Sequence, residues 1–155
     1  MLFFIDFTAA YDTVWHRGLY LKLLQIIPDV KLVRFIMAMV QNRQFVLETS
    51  NGERSRKRNL RNGLPQGSVL APILFNIYTA DLPPTTSAKY IYADDSALGY
   101  AAGSRNVVER TLEGDLKTIK DYFQTWHLKM SQSKKICSLF HLANRLAKNE
   151  PTVNL

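Results

Sequence analysis

Three aspartates stand where this chain changes direction, and carboxylates gathered at such places can hold a cation. Asp6 directly follows the apolar run Met1-Leu2-Phe3-Phe4-Ile5, and Asp94-Asp95 sits between two short stretches rich in Tyr, Ile and Ala. Taken alone, an Asp-Asp pair is most often a solvated turn. If the strand ending at Asp6 and the turn at Asp94-Asp95 reach one sheet edge, like charges converge there, and repulsion forbids that unless a cation neutralises them. Hard oxygen ligands of this kind suit Mg²⁺, which completes its shell with water and substrate phosphates. Two such ions about 3.5–4 Å apart can activate an attacking hydroxyl and stabilise a leaving oxygen in phosphoryl transfer.

Rival chemistries are poorly served. His16, His127 and His141 lie far apart with no zinc-site spacing, and the single cysteine, Cys137, rules out an intramolecular disulfide or a Cys-rich zinc site. Gly63 and Gly67 are too close together for a phosphate-binding P-loop and are followed by Ser68-Val69. The 155 residues carry a net charge of +7, which favours a polyanionic partner. Hydrophobic residues at 46% exclude a disordered chain. The opening apolar run ends at Asp6 without a basic flank, so neither a signal peptide nor a membrane span is expected. An intracellular setting, cytoplasm or nucleus, is the resulting expectation.

The elements that must position these residues follow from apolar periodicity. Residues 2–5 read as a strand buried on both faces, because no polar residue alternates. Helices are expected over 18–27, ended by Pro28, and from a cap at Asp29 to Asn42. Residues 45–49 and 53–60 read as hairpin strands around Asn51-Gly52. The return strand carries Arg54, Arg56, Lys57 and Arg58, with Arg61 beyond; this is either a solvated face or a contact for a nucleic-acid backbone. A loop over 62–68 precedes a helix over 69–80, with Pro72 tolerated in its first turn. Strands over 89–92 and 96–101 lead to a long helix from Ser104, whose inward face is Val107, Val108, Leu112, Leu116, Ile119, Phe123 and Trp126. A last strand covers 135–140, so residues 1–142 form the domain and 143–155 a polar tail. With the 45–80 insertion set aside, the order is β-α-α-β-β-α-β. That is an α+β, ferredoxin-like (split βαβ) antiparallel sheet with helices on one face, plus an inserted hairpin and helix.

Four strings add a resemblance. Residues 4–16 (FIDFTAAYDTVWH), 62–72 (NGLPQGSVLAP), Tyr92-Ala93-Asp94-Asp95 and 128–135 (LKMSQSKK) occur in the order of the palm motifs of reverse transcriptases, in the style of non-LTR, jockey-like retroelements. The chain thus resembles the palm of an RNA-directed DNA polymerase. The resemblance implies a polymerase palm fold and an enzyme joining dNTPs to a primer 3′-hydroxyl, with an RNA template, a DNA primer and two Mg²⁺ ions, for which Mn²⁺ can substitute.

It also implies roles residue by residue. Asp6, Asp94 and Asp95 match metal ligands, with the Phe7 carbonyl as a further one. Tyr11 matches the bulky position under the incoming sugar, where a flat ring would clash with a 2′-hydroxyl. Gly63 and Gly67 would let the loop approach the nascent base pair, beside which Gln66 offers a donor and an acceptor. Lys134 matches a general acid for pyrophosphate, although Ser131 stands where the family usually has Asn. Asp12 is expected to cap the helix that follows it.

Met1 lies five residues before Asp6, and the chain ends near the last palm strand, so fingers and thumb are expected to be absent from this piece. Apolar residues within 35–40 and 69–77 would then lie exposed and lower solubility. Two rival readings remain: a palm remnant that only binds RNA or protein, and a two-metal nuclease. The nuclease would require neither Tyr11 nor the Gly63–Gly67 loop.

Overall fold

In a computed structural model of the chain, the described residues are 1–92, 95–131 and 136–140. The elements in order are β1 (Leu2–Asp6), α1 (Ala10–Thr13), α2 (His16–Ile26), α3 (Val30–Val40), β2 (Gln44–Phe45), β3 (Arg58–Asn59), α4 (Leu70–Thr79), β4 (Ala88–Tyr92), β5 (Asp95–Gly99), α5 (Arg105–Thr125) and β6 (Ile136–Ser138). They fall into two compact units, Met1–Ala10 with Leu82–Leu155 and Tyr11–Asp81. The insertion is therefore wider than the 45–80 stretch expected, because α2 and α3 cluster with the hairpin and α4 instead of with the sheet. The expected polar tail lies outside the described residues.

In the first unit the sheet runs β4-β5-β1-β6 and every pairing is antiparallel. Its one described helix is α5, which buries Val108, Leu112, Leu116, Ile119 and Phe123 at helical spacing. The predicted stripe is narrower at its ends: Val107 is exposed and Trp126 half-buried. Ile5, Leu98, Ile119 and Phe123 line one small gap between helix and sheet, and the Phe7 and Phe123 rings meet edge-on at 4.8 Å. Phe3 and Ile5 are buried, but Phe4 between them is 42% exposed. The expectation of a strand buried on both faces is thus corrected: the second face of β1 is apolar and open. Continuous hydrophobicity in β1 reflects two apolar faces, of which the fold covers one.

One polar residue sits on the buried side of α5. Asp115 accepts hydrogen bonds from Thr86 N–H (3.0 Å), Ser87 N–H (2.7 Å) and Ser87 Oγ (2.5 Å). Those bonds fix the segment that enters β4. Burial raises the carboxyl pKa, but the Ser87 and Thr86 donors outweigh it, and Asp115 ends below the ordinary value.

In the second unit Asp29 caps α3 as its residue type predicts, accepting from Lys31 N–H (2.8 Å) and Leu32 N–H (3.4 Å). Pro72 falls in the first turn of α4, where a missing N–H costs no helical bond. Lys22 of α2 is 2% exposed, donates to the Tyr78 carbonyl (2.5 Å) and to Asp81, and lies 5.0 Å from the centre of the Tyr78 ring. It joins α2 to the C-terminal end of α4, where the helix carbonyls need donors. The predicted hairpin forms, but its ladder shrinks to β2 with β3 and a bridge between Glu48 and Arg54. Nothing on this arm is fully buried, so no core face pins a longer register. Phe35, Met39, Val69 and Ile73 are exposed, as expected for 35–40 and 69–77. Among the described residues no helix is long and apolar enough to cross a membrane.

Candidate functional site

The strand register decides which acidic side chains can meet. Asp6, the last residue of β1, is the direct partner of Asp95, the first residue of β5. Direct partners in an antiparallel pair project to the same face, with Cβ atoms about 4.5–5.5 Å apart. Two carboxylates so placed repel one another, and Asp6 Oδ2 is also buried away from solvent. The donor set, hard oxygens of like charge on one face, fits a divalent cation of the Mg²⁺ type. Asp94 lies outside the described residues. No third Asp, Glu, His or Cys completes a cluster among those that are described.

The acidic pair stands at one end of the open sheet face. The register places Phe4 beside Ala97 and Ile136, Ala97 beside Tyr90, and Asp95 beside Tyr92, so all six share a face with Asp6. Phe4, Tyr90, Tyr92 and Ile136 are exposed there and line a broad groove that includes Asp6 and Asp95. Apolar and aromatic groups ending in carboxylates make a surface able to seat a ring-bearing ligand and its cation-bound phosphates.

Phe7 gives its ring to the core, so any share in a cation site falls to its backbone carbonyl. The same stretch anchors residues 129–131: Thr8 N–H donates to the Lys129 carbonyl and Ser131 N–H to the Asp6 carbonyl, both at 2.8 Å. The segment that precedes Lys134 is thereby tied to the strand carrying Asp6. Lys134 itself lies outside the described residues.

Tyr11, Gln66 and Gly67 belong to the second unit. The Tyr11 ring stacks on Phe75 (centroids 4.9 Å apart, planes at 28°), and its carbonyl accepts from Leu64 N–H at 2.8 Å. Gly63 has φ +87°, and a Cβ on it would lie 2.8 Å from the Asp12 carbonyl oxygen. Its close approach is therefore to the chain's own backbone, which corrects the expectation that Gly63 makes room for a base pair. Gly67, at φ +83° with no atom within 4 Å of a Cβ position, retains that possibility.

Asp12 also corrects an expectation. The residue preceding α2 is Trp15, with no side-chain cap, and Asp12 instead accepts a hydrogen bond from Gln66 Nε2 at 3.0 Å. An ionised carboxylate only accepts, so this bond fixes which end of the Gln66 amide points to Asp12 and leaves Oε1 as the group offered elsewhere.

Sequence reasoning weighed His16 only as a zinc ligand and passed over Arg43. His16 is buried with Nε2 at 2.7 Å from the Gly63 carbonyl oxygen, and Arg43 Nη2 reaches the same atom. Burial, with the Arg43 charge adding to it, lowers the His16 pKa against the pull of that carbonyl. A histidine at the first position of a helix gives no pattern by which to foresee this. Arg54, Arg56, Lys57, Arg58 and Arg61 are all exposed on the hairpin and its exit, with Arg54 Nε 3.1 Å from Glu48 Oε2.

Comparison with known proteins bears on family and fold. Residues 1–150 match the family described as Reverse transcriptase (RNA-dependent DNA polymerase). The chain is 35% identical over 148 residues to the probable RNA-directed DNA polymerase from transposon BS of Drosophila melanogaster, covering 90% of this chain and 16% of that protein. It is 34% identical over 139 residues to the RNA-directed DNA polymerase from mobile element jockey of Drosophila funebris, covering 84% and 14%. The chain thus spans a small part of these relatives. Among solved structures, apo telomerase from Candida tropicalis, truncated from its C-terminal domain, superposes with a TM-score of 0.62 at 14% identity, over 92% of this chain and 31% of that one. Telomerase from Candida albicans, in complex with a TWJ fragment of telomeric RNA, gives 0.61 at 10% identity, over 87% and 27%. With the antiparallel sheet, these likenesses establish a polymerase palm-like α+β fold.

Proposed function

The chain belongs to the reverse transcriptase family, and from that premise we propose that it is the palm of an RNA-directed DNA polymerase, adding dNTPs to a primer 3′-hydroxyl on an RNA template. The observation that carries the reading is the register pairing of Asp6 with Asp95 at the end of the open, aromatic sheet face. The strand order β4-β5-β1-β6 supports the ferredoxin-like plan, with residues 1–142 as the palm.

Asp6 and Asp95, with Asp94 next in sequence and the Phe7 carbonyl, would hold two Mg²⁺ ions, or Mn²⁺ in their place. When bound, the ions neutralise the acidic pair and stabilise charge on the entering and leaving oxygens. The primer 3′-hydroxyl loses its proton to solvent, its oxygen bonds to the α-phosphorus, the bond from that phosphorus to the bridging oxygen breaks, and pyrophosphate leaves. Lys134 gives the leaving group its proton. Tyr11, braced by Phe75, sits under the incoming sugar and excludes a 2′-hydroxyl. Gln66, oriented by Asp12, and Gly67 meet the nucleotide. Arg54, Arg56, Lys57, Arg58 and Arg61 bind nucleic-acid phosphates. The work is intracellular, in cytoplasm or nucleus, where RNA and dNTPs are found.

Primer extension on an RNA template tests this, with the chain alone and spliced into a full-length relative in place of its matching segment. Mg²⁺-dependent extension is expected, lost in D94N. A well-folded spliced protein that extends nothing would favour the binding-only remnant. Cleavage of RNA or DNA without dNTPs that requires Asp6 would favour the nuclease.

A further inference from the structure

One carbonyl oxygen in the second unit receives donors from two helix ends. His16 opens α2 and brings Nε2 to 2.7 Å of the Gly63 carbonyl; Arg43, three residues beyond α3, brings Nη2 to the same oxygen. Arg43 Nε also donates to the Val40 carbonyl at 2.9 Å, one of the last α3 carbonyls, which no helical N–H can satisfy. The guanidinium therefore joins the end of α3 to the loop. Backbone bonds complete the attachment: Gly63 N–H to the Val14 carbonyl and Leu64 N–H to the Tyr11 carbonyl, both 2.8 Å. Beyond these lies Gln66, whose amide reaches Asp12, the neighbour of Tyr11.

A carbonyl has two lone pairs, and here both can be met by buried or half-buried donors. The Gly63 oxygen can only accept, so His16 must donate from Nε2 whatever its charge. The planar guanidinium serves two carbonyls at once, which an ammonium on a flexible stem does poorly. We propose that His16 and Arg43 are positioning residues: through the Gly63 carbonyl they hold the Gly63–Gly67 loop on the 11–16 segment, so that Tyr11 and Gln66 meet a nucleotide in a fixed relation. This rests on reading Tyr11 and Gln66 as nucleotide-binding. Neither His16 nor Arg43 need touch the nucleotide.

The test compares wild type, H16L, H16Q and R43K in the full chain by amide hydrogen exchange, and in the spliced polymerase by the KM and kcat for dNTPs. H16L is expected to speed exchange at Gly63 and Leu64 roughly tenfold or more, with the amides inside α4 unchanged. H16Q, which again offers an N–H, restores most of the protection; R43K, which keeps charge but loses the fork, does not. In the same order the dNTP KM rises about tenfold while kcat changes less than about threefold. The proposal is overturned if exchange at Gly63 and Leu64 stays at wild-type rates in both H16L and R43K. It is equally overturned if exchange rises uniformly over 11–81, or if the loop loosens while KM is unmoved. Expected exchange in a protein that extends no primer would remove the nucleotide reading and leave the hold on the loop established.

Discussion

Asp115 and Asp6 are acidic residues of the same sheet-bearing unit, and their surroundings are opposite in kind. Asp115 faces three donors from Thr86 and Ser87, which favour its charged form. Asp6 stands in register with a second carboxylate, Asp95. The first arrangement is complete within the chain and stabilises it. The second repeats a charge on one sheet face, and in the proposed function a divalent cation answers it. The Tyr11–Asp81 unit follows the first pattern with the sign reversed, since buried Lys22 meets Asp81 and a helix carbonyl. Asp115 and Lys22 thus meet partners that oppose their charge, and the Asp6–Asp95 register repeats one.

The contrast should be sharpest in D95N. RNA-templated extension is expected to fall by on the order of 10²–10³-fold, the scale of losing one electrostatic stabiliser of a developing charge. The melting temperature in EDTA should stay level or rise, because a like-charge contact has been relieved. Mg²⁺ at ten times its dissociation constant should stabilise wild type by about 1.4 kcal/mol and D95N far less. A D95N protein that melts well below wild type in EDTA would place Asp95 with Asp115, among the structural acids.

D115A should do the reverse. Leaving the buried Ser87 N–H and hydroxyl without their acceptor is expected to cost about 2–3 kcal/mol, read as a lower denaturation midpoint. Because the folded carboxyl titrates below its ordinary value of 3.8, the stability it contributes is fully present above that pH. It is lost as pH falls through the lowered folded value. The acid unfolding of D115A should therefore be shallower than that of wild type. A chain indifferent to this change would mean that β4 is held in place by other contacts.

Much of this could be read in the sequence, for physical reasons that differ by residue. The α5 stripe, the Asp29 cap and Pro72 in the first turn of α4 are decided within a few residues of chain, and local pattern suffices for them. That the strand ending at Asp6 and the Asp94-Asp95 turn can reach one sheet edge follows from the strand order, and the register puts Asp6 opposite Asp95. Phe4 failed because an apolar residue reports what could be buried and not what is. Asp115 and Lys22 gave no signal for the converse reason: each occupies a core position on a helix, yet its type is almost always exposed. The partners that make burial tolerable, Ser87 and Asp81, are set by long-range folding. Asp12, His16 and Arg43 owe their roles to a loop some 20 to 54 residues away in sequence. No short spacing encodes that.

The buried cation gives a smaller, asymmetric effect. In D81A, Lys22 loses its counter-charge while staying buried, and a cost of about 2–3 kcal/mol is expected. K22M removes charge and donor together and keeps the packing volume, so it should cost about 1 kcal/mol. Chemical denaturation of the two variants and their double mutant gives the coupling directly. Equal costs in both single mutants would show that the Tyr78 carbonyl, and not Asp81, is the partner that matters.

The smallest effect on stability, and the most informative about partners, belongs to the hairpin. Arg56, Lys57 and Arg58 stand exposed together, a gathering of like charge resembling Asp6 and Asp95 with the sign changed. In the proposed function their complement is a nucleic-acid phosphate, against the alternative of a solvated face. Replacing Arg56 and Lys57 by Ser should leave the melting midpoint within about 0.5 kcal/mol of wild type, as for surface substitutions generally. Affinity for an RNA–DNA duplex should fall whatever its sequence, and the slope of log K against log salt should flatten by about 0.7–0.9 per phosphate contact removed. Neighbouring Arg54 already faces Glu48, so R54S should flatten it less. An unchanged slope in the double variant would return the whole run to the solvated surface and remove these residues from the proposed nucleic-acid contact.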